Sequence, residues 1–351
     1  MAGEIFEKAF SPEGAKYLRI AEWERRYPVR TFFSTRDGGV SSGAFSSLNM
    51  GFSTGDEREC VEENRRRVLD SVGETGYREV APHQVHGARI ACVRERSERA
   101  DGQEPSGHRG GEASLAGTSD SQTSNYQTCD YQASGCQAQT SDYQTSGCHQ
   151  EIFWLEPGEK RDGGEKVDGG SEGADSVSVK RREKLPFPDT DALITDARNV
   201  VLTSLHADCI PVWLYDPVRH AAGLAHAGWR GTAADIAAKT VRRMCDIFGS
   251  RAEDIEAAVG PGIGTCCFEV GGEVIQAFES LMDGAGEFYT DDGNGKYHLD
   301  LKGVNEALLR RAGVSRISVT GYDTCCGSDL FYSYRRDGGV TGRMCAGIVL
   351  L

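Results

Sequence analysis

The chain has 351 residues, with 53 acidic against 39 basic and a formal net charge of −14. That balance excludes the basic footprint that nucleic acid or an anionic membrane surface requires, while leaving room for a local basic pocket for a small anion. No run approaches the roughly 18 consecutive apolar residues of a membrane span, and the opening MAGEIFEKAF carries charges where an export signal needs an apolar core, so the expectation is a cytoplasmic protein.

In chain order, 29–34 reads as a strand running into a turn at Asp37-Gly38-Gly39. A helix is expected over 57–71, with Val61, Val68 and Leu69 on its apolar side. A strand follows at 89–93, just after His86-Gly87. Four short β-rich runs come next, at 192–195, 200–205, 210–215 and 221–226. A helix is expected from 233 to 248, with Thr232 as N-cap and Asp235 completing a capping-box-like pair. The remaining elements are a strand at 255–259, the loop Gly260-Pro261-Gly262-Ile263-Gly264, helices over 272–282 and 303–311, and strands at 317–321 and 345–350. Strands and helices mix without strict alternation, which predicts an α/β domain with a mixed sheet.

One long segment interrupts this pattern. Between Ser97 and Gln150 only Leu115 belongs to the Val, Ile, Leu, Met and Phe class, and QTSNYQT at 122–128 recurs as QTSDYQT at 139–145. Such a stretch cannot bury enough apolar surface to offset an ordering entropy of roughly 1–2 kcal/mol per residue. The reading is a mostly disordered insertion over 97–187, in which only Ile152-Phe153-Trp154-Leu155 has strand character. Residues 1–96 and 188–351 then form a single discontinuous domain, since neither half has core enough to stand alone.

Twelve cysteines raise the question of disulfides. Cys266-Cys267 and Cys325-Cys326 are adjacent pairs, no Cys-x-x-Cys occurs, and most others sit singly in apolar segments. Reduced thiols are the better reading.

The chemistry concentrates near the 210–226 hairpin. If Tyr215 pairs with His220 across the turn Asp216-Pro217-Val218-Arg219, the same register sets Cys209 opposite His226, with Cβ atoms about 4.5–5.5 Å apart. Two residues so placed share a metal or make a Cys–His catalytic pair; taken singly, each is more often an ordinary core residue. A third ligand would come from His86, His83 or His206, among which composition does not choose. A Cys-His-His set is zinc chemistry with a fourth position open. Arg230, in the turn Gly228-Trp229-Arg230-Gly231-Thr232, would stand beside a helix N-terminus able to hold an anion. The loop at 260–264 is not a dinucleotide fingerprint, and Ser333-Tyr334-Arg335-Arg336-Asp337-Gly338 reads as an ion-paired structural turn.

The segments QVHG (84–87), ADCIPVWLYD (207–216), AHAGWRGT (225–232), GPGIGTCCFEVG (260–271) and YSYRRDGGVTGR (332–343) resemble, in order, the motifs of the YfiH-like family. That family is labelled multicopper polyphenol oxidase or laccase-domain proteins and is credited with purine nucleoside phosphorylase activity. STRDGGVS (34–41) and SLNMGF (47–52) are similar to its N-terminal motifs. The resemblance implies an α-β-β-α layered sandwich related to cytotoxic-necrotizing-factor-like hydrolases. It implies a zinc site of His86, Cys209 and His226, which would also be the catalytic residues. It further implies phosphorolysis of adenosine, inosine and methylthioadenosine together with adenosine deamination. Purine nucleosides and phosphate are then the partners, and the chain is expected as a monomer or homodimer. Arg36, Asn49 and Arg65 lie in the stretches similar to the family's and are further candidates for substrate or phosphate contacts.

A four-copper centre requires His-x-His pairs, and this chain has eight histidines and none so spaced. A single Cu2+ at the same three ligands remains compatible, since copper outcompetes zinc in raw affinity, and would give oxidation of phenols. A cysteine hydrolase using Cys209 and His226 is the other enzymatic reading. A partner-binding module contacted through the Tyr/Gln-rich insertion is the non-enzymatic one.

Overall fold

The structure, a computed structural model, describes residues 5–73, 77–95, 152–155 and 187–351. The repeat-bearing part of the expected insertion lies outside the described residues. Contacts divide the chain into two units, Met1–Cys92 with Asp175–Leu351, and Val93–Ala174.

The larger unit opens with β1 (Phe6–Phe10), β2 (Lys16–Ile20), α1 (Ala21–Arg26), β3 (Val29–Ser34), α2 (Arg58–Val72), β4 (Arg78–Val80) and the start of β5 (Ile90–Glu95). The smaller unit contains the end of β5 and its neighbour β6 (Ile152–Leu155), the short apolar island of the sequence. The larger unit resumes with β7 (Ala192–Thr195), β8 (Val200–His206), β9 (Ile210–Asp216), β10 (Ala221–Ala227), α3 (Trp229–Ala233), α4 (Ile236–Phe248) and β11 (Glu256–Val259). It ends with β12 (Glu269–Gly271), α5 (Gly272–Leu281), β13 (Tyr289–Gly293), β14 (Lys296–Leu299), α6 (Leu301–Arg311), β15 (Arg316–Val319) and β16 (Met344–Leu350).

One sheet has the order β1-β2-β3-β16-β8-β4, a second runs β15-β11-β9-β10-β7-β5 within the larger unit, and β12-β14-β13 form a small third. The fold is therefore mixed α/β with several sheets. Every residue of β9 and β10 is buried, as continuous apolar runs bounded by turns require. Trp213 on β9 donates Nε1–H to the Gly347 carbonyl on β16 at 2.9 Å, tying the two large sheets together. On α2, Val68, Leu69 and Val72 join Phe32, Leu48, Met50 and Val201 in one core cluster, while α4 packs against β10 and β7. No helix among the described residues is long and apolar enough to cross a membrane.

Two local expectations are corrected. The helix expected over 233–248 is two helices, because Asp235 takes a left-handed backbone (φ 61°) that ends the first and precedes the second. Thr232 therefore lies inside α3 instead of capping a helix, and its Oγ1 accepts from Asn305 Nδ2 at 3.0 Å. The hairpin register also differs: Tyr215 pairs with Ala222 and His226 with Pro211, not Cys209. Asp216 Oδ1 accepts the N–H of Val218 (2.8 Å) and Arg219 (3.1 Å), and His220 adopts φ 51°, so the loop is 217–220 and the strands pair two residues out of the expected register.

Candidate functional site

Side chains alternate along a strand, so a two-residue offset keeps every residue on its face. Cys209 and His226 thus remain on one side as diagonal instead of direct neighbours. His86, Cys209 and His226 converge, with one donor atom of each within 4.8 Å of the others. The His86 and His226 ring centroids are 5.0 Å apart. His226 is buried, Cys209 half-buried and His86 exposed, so the cluster opens to solvent on the His86 side.

Each of the three is held by backbone chemistry. Cys209 sits where the chain leaves β8 in one sheet and enters β9 in the other. The turn is made by Asp208, a non-glycine residue at φ 95°. Its carboxylate accepts Thr324 Oγ1–H at 2.7 Å and the Arg335 N–H at 2.7 Å, and its carbonyl accepts the Ile263 N–H at 2.9 Å. The 260–264 loop therefore braces the cysteine turn. Arg335 itself donates to the carbonyls of Cys267 and Glu269, and Arg336 to those of Thr324, Cys325 and Phe331, so this arginine pair staples loops together.

Asp191, which composition and motif reading passed over, organises the other two residues of the cluster. Its buried carboxylate accepts the N–H groups of Val85 (3.3 Å), His86 (2.9 Å) and Gly87 (2.7 Å) and the Nδ1–H of His226 (3.1 Å). His86 itself is at φ 62°, which turns this nest of amides onto one anion. Burial works against the Asp191 charge, but these donors outweigh it and hold the carboxyl below its ordinary value. The pairing of Ala192 with Ala225 places Asp191 beside His226. Only knowledge that β7 pairs with β10 would have revealed it.

The three histidines weighed as a third member of the cluster differ in their contacts. His206 Nδ1 lies 3.0 Å from the Cys209 carbonyl, which can only accept, so Nδ1 carries the proton and Nε2 accepts from Ser204 Oγ at 2.7 Å. Both nitrogens are committed, and burial first, then the neighbouring His226, keeps this ring neutral. Exposed His83 faces Asp189 at 3.6 Å instead.

Burial opposes a thiolate at Cys209, but the His226 charge and the hydrogen bonds from both histidines prevail and lower it to about 6. Burial likewise opposes an imidazolium at His226, yet Cys209 and Asp191 raise it to about 9. A methyl on Gly228 would lie 2.9 Å from Cys209 Sγ and 3.1 Å from His86 Cδ2, so glycine is what lets the ligands close up there. One thiolate, one imidazole with its second nitrogen on a carboxylate, and one open side fit a three-ligand metal site.

The remaining sequence candidates each have contacts of their own. Arg230 is exposed and stacks over Trp229 at 4.4 Å; α3 is too short to act as a helix-terminus anion site. Arg36 donates to the Ser46 and Ser328 carbonyls and lies over Tyr332. Asn49 is fully buried, bonded to Gly51, Thr54, Asp56 and the Arg343 N–H. Arg65, also buried, pairs with Glu79 and donates to the Met50 carbonyl at 2.7 Å. Asn49 and Arg65 are thus committed to holding the N-terminal loops.

Comparison with known proteins places these residues in context. The model of the family described as Multi-copper polyphenol oxidoreductase laccase matches residues 30–111 and 171–351. The chain is 31% identical over 316 residues to Purine nucleoside phosphorylase YlmD of Geobacillus stearothermophilus, covering 89% of this chain and 87% of that one. It is 38% identical over 161 residues to Adenosine deaminase RL5 of an unknown prokaryotic organism, 45% of this chain and 61% of that one. The crystal structure of Bacillus licheniformis hypothetical protein YfiH superposes with a TM-score of 0.69 at 30% identity, over 99% of each chain.

Proposed function

The chain belongs to the multi-copper polyphenol oxidoreductase laccase family, and we propose that it is a zinc-dependent purine nucleoside phosphorylase with a second, adenosine-deaminating activity. The substrates proposed are adenosine, inosine and methylthioadenosine, cleaved with phosphate to the free base and the (methylthio)ribose 1-phosphate. The observation that carries this reading is the convergence of His86, Cys209 and His226 around one point that solvent reaches. The names of the relatives supply the substrate class. The packing of α2 and α4 against the two large sheets supports the layered α-β-β-α arrangement.

His86, Cys209 and His226 would hold the zinc, which when bound supplies a Lewis acid for the purine or for a water. The chain's own groups do the rest. Asp191 accepts from His226 Nδ1 and so leaves Nε2 as the nitrogen that would serve the metal. Gly228 leaves room for Cys209 and His86 to approach each other. Arg230, exposed just beyond Gly228, is the proposed partner of phosphate, with Arg36 a further contact. The protein acts on small molecules in the cytosol, as a monomer or homodimer.

A second reading is favoured by the Cys209–His226 pair: a lowered thiol beside a charged imidazole is also the machinery of a cysteine hydrolase. A metal-bound thiolate cannot attack substrate, so the two readings exclude each other in one molecule. Copper at the same ligands is the route by which phenol oxidation would arise. The deciding experiment follows base release from adenosine and inosine by zinc-loaded enzyme with and without phosphate. Release that requires phosphate supports the proposal; equal rates without it make the enzyme a hydrolase. Full activity after chelation, abolished by alkylation, establishes the cysteine mechanism.

A further inference from the structure

The two adjacent cysteine pairs take no part in the site above, yet the fold brings them together. The loop after β11 and the loop after β15 run side by side through a bridge of Gly262 to Asp323 and the Thr324 N–H donating to the Gly262 carbonyl at 3.1 Å. Cys266 Sγ lies 3.4 Å from Cys326 Sγ and 3.7 Å from Cys267 Sγ, and Cys267 Sγ lies 3.4 Å from Cys326 Sγ. Asp323 Oδ2 is 3.2 Å from Cys266 Sγ.

These spacings are close to the edges of a coordination tetrahedron, a few tenths of an ångström shorter. With zinc–sulfur bonds of about 2.3 Å and a zinc–oxygen bond of about 2.0–2.2 Å, sulfur–sulfur edges are about 3.8 Å and sulfur–oxygen edges about 3.5 Å. Three mutually close thiols also exceed what a single disulfide uses. The carboxylate is oriented as outer hydrogen bonds orient a ligand, since its other oxygen accepts the N–H of Cys325 (2.8 Å) and Cys326 (3.2 Å). Arg335 pins the Cys267 carbonyl at 2.9 Å, and exposed Cys266 and Cys326 give an ion a way in.

We propose that Cys266, Cys267, Cys326 and Asp323 form a second metal site, a structural one for a thiophilic divalent ion of the zinc class. Four protein ligands leave no open position, which separates this site from the three-ligand cluster of His86, Cys209 and His226. The bound ion clamps together the two loops that brace Asp208 and through it the Cys209 turn.

The test is peptide-mapped alkylation of the reduced wild-type protein with N-ethylmaleimide, with and without added zinc, alongside zinc content by mass spectrometry. Zinc is expected to protect Cys266, Cys267 and Cys326 as a group, and Cys209→Ser is expected to retain a zinc ion that Cys209→Ser/Cys266→Ser/Cys326→Ser loses. Because Cys209 is read on its own peptide, failure of the first site and failure of the second are distinguishable. If the three cysteines alkylate equally fast with and without zinc, the proposal is overturned, and this arm stands even if a variant does not fold. A disulfide joining Cys326 to Cys266 or Cys267 in the protein as isolated, with zinc content unchanged by its reduction, also overturns it.

Discussion

Asp191 and His226 are joined twice: the His226 ring donates Nδ1–H to the Asp191 carboxylate at 3.1 Å, and its backbone N–H donates to the Asp191 carbonyl at 2.8 Å. The same carboxylate holds the backbone of the His86 loop, so one buried anion sets the positions of two residues of the cluster from separate parts of the chain. Asp191→Asn keeps the shape but trades an acceptor for a donor. Zinc affinity, read by competition with a chromophoric chelator, is expected to fall about 10–100-fold. Asp191→Ala strands the amides and the imidazole and is expected to cost about 3–5 kcal/mol in chemical denaturation. Unchanged zinc affinity in Asp191→Asn would remove this residue from the site.

The space above Gly228 is already filled by Cys209 and His86. Gly228→Ala is expected to introduce strain of about 1–3 kcal/mol, which is about a 5- to 150-fold loss of zinc affinity, with far-ultraviolet circular dichroism unaltered. A variant that binds zinc as tightly as wild type would show that the cluster does not close around an ion there.

The metal-free protein should carry a distinct pH signature. The depressed Cys209 thiol contributes stability that is complete above its unfolded value and lost as pH falls through about 6. The elevated His226 contributes stability that is complete below its unfolded value and lost as pH rises through about 9. Thermal melts of chelated protein are therefore expected to peak between about pH 6 and 9, and iodoacetamide should label Cys209 with a midpoint near 6. A labelling midpoint in the ordinary thiol range would dissolve the ion pair.

Arg230 is exposed and its five-residue helix is too short to hold an anion at its N-terminus, so any contribution to phosphate binding must come from its guanidinium. Arg230→Ala is expected to raise the KM for phosphate about tenfold, the loss of one charge-assisted contact, while adenosine deamination falls less. Equal losses in both reactions would place Arg230 in folding or nucleoside binding.

Phe187, the last residue of the expected insertion, is buried, and its carbonyl accepts the His83 N–H at 2.8 Å three residues before His86. Replacing 97–150 by a short Gly/Ser linker is expected to leave the melting temperature near wild type. Phe187→Ala should cost about 3–5 kcal/mol. The reverse ranking in calorimetry would move the low-complexity stretch into the core.

What the sequence determined by itself was local. The apolar runs at 192–195, 200–205, 210–215 and 221–226 lie within or coincide with β7, β8, β9 and β10, because burial on both faces demands uninterrupted apolar residues. That Cys209 and His226 come together was legible from their spacing, with the face preserved even though the register differed, since strand periodicity forgives an even offset. The tertiary structure alone decided what depends on contacts between distant segments. His86, and not His206, joined the Cys209–His226 cluster, while Ser204 and the Cys209 carbonyl occupy both nitrogens of His206. Asp191 became the organiser because β7 lies beside β10. Cys266, Cys267, Cys326 and Asp323 met because two loops some sixty residues apart run in parallel. No pattern within a single window of sequence encodes such meetings, for the free energy that fixes them is released only when the sheets pack.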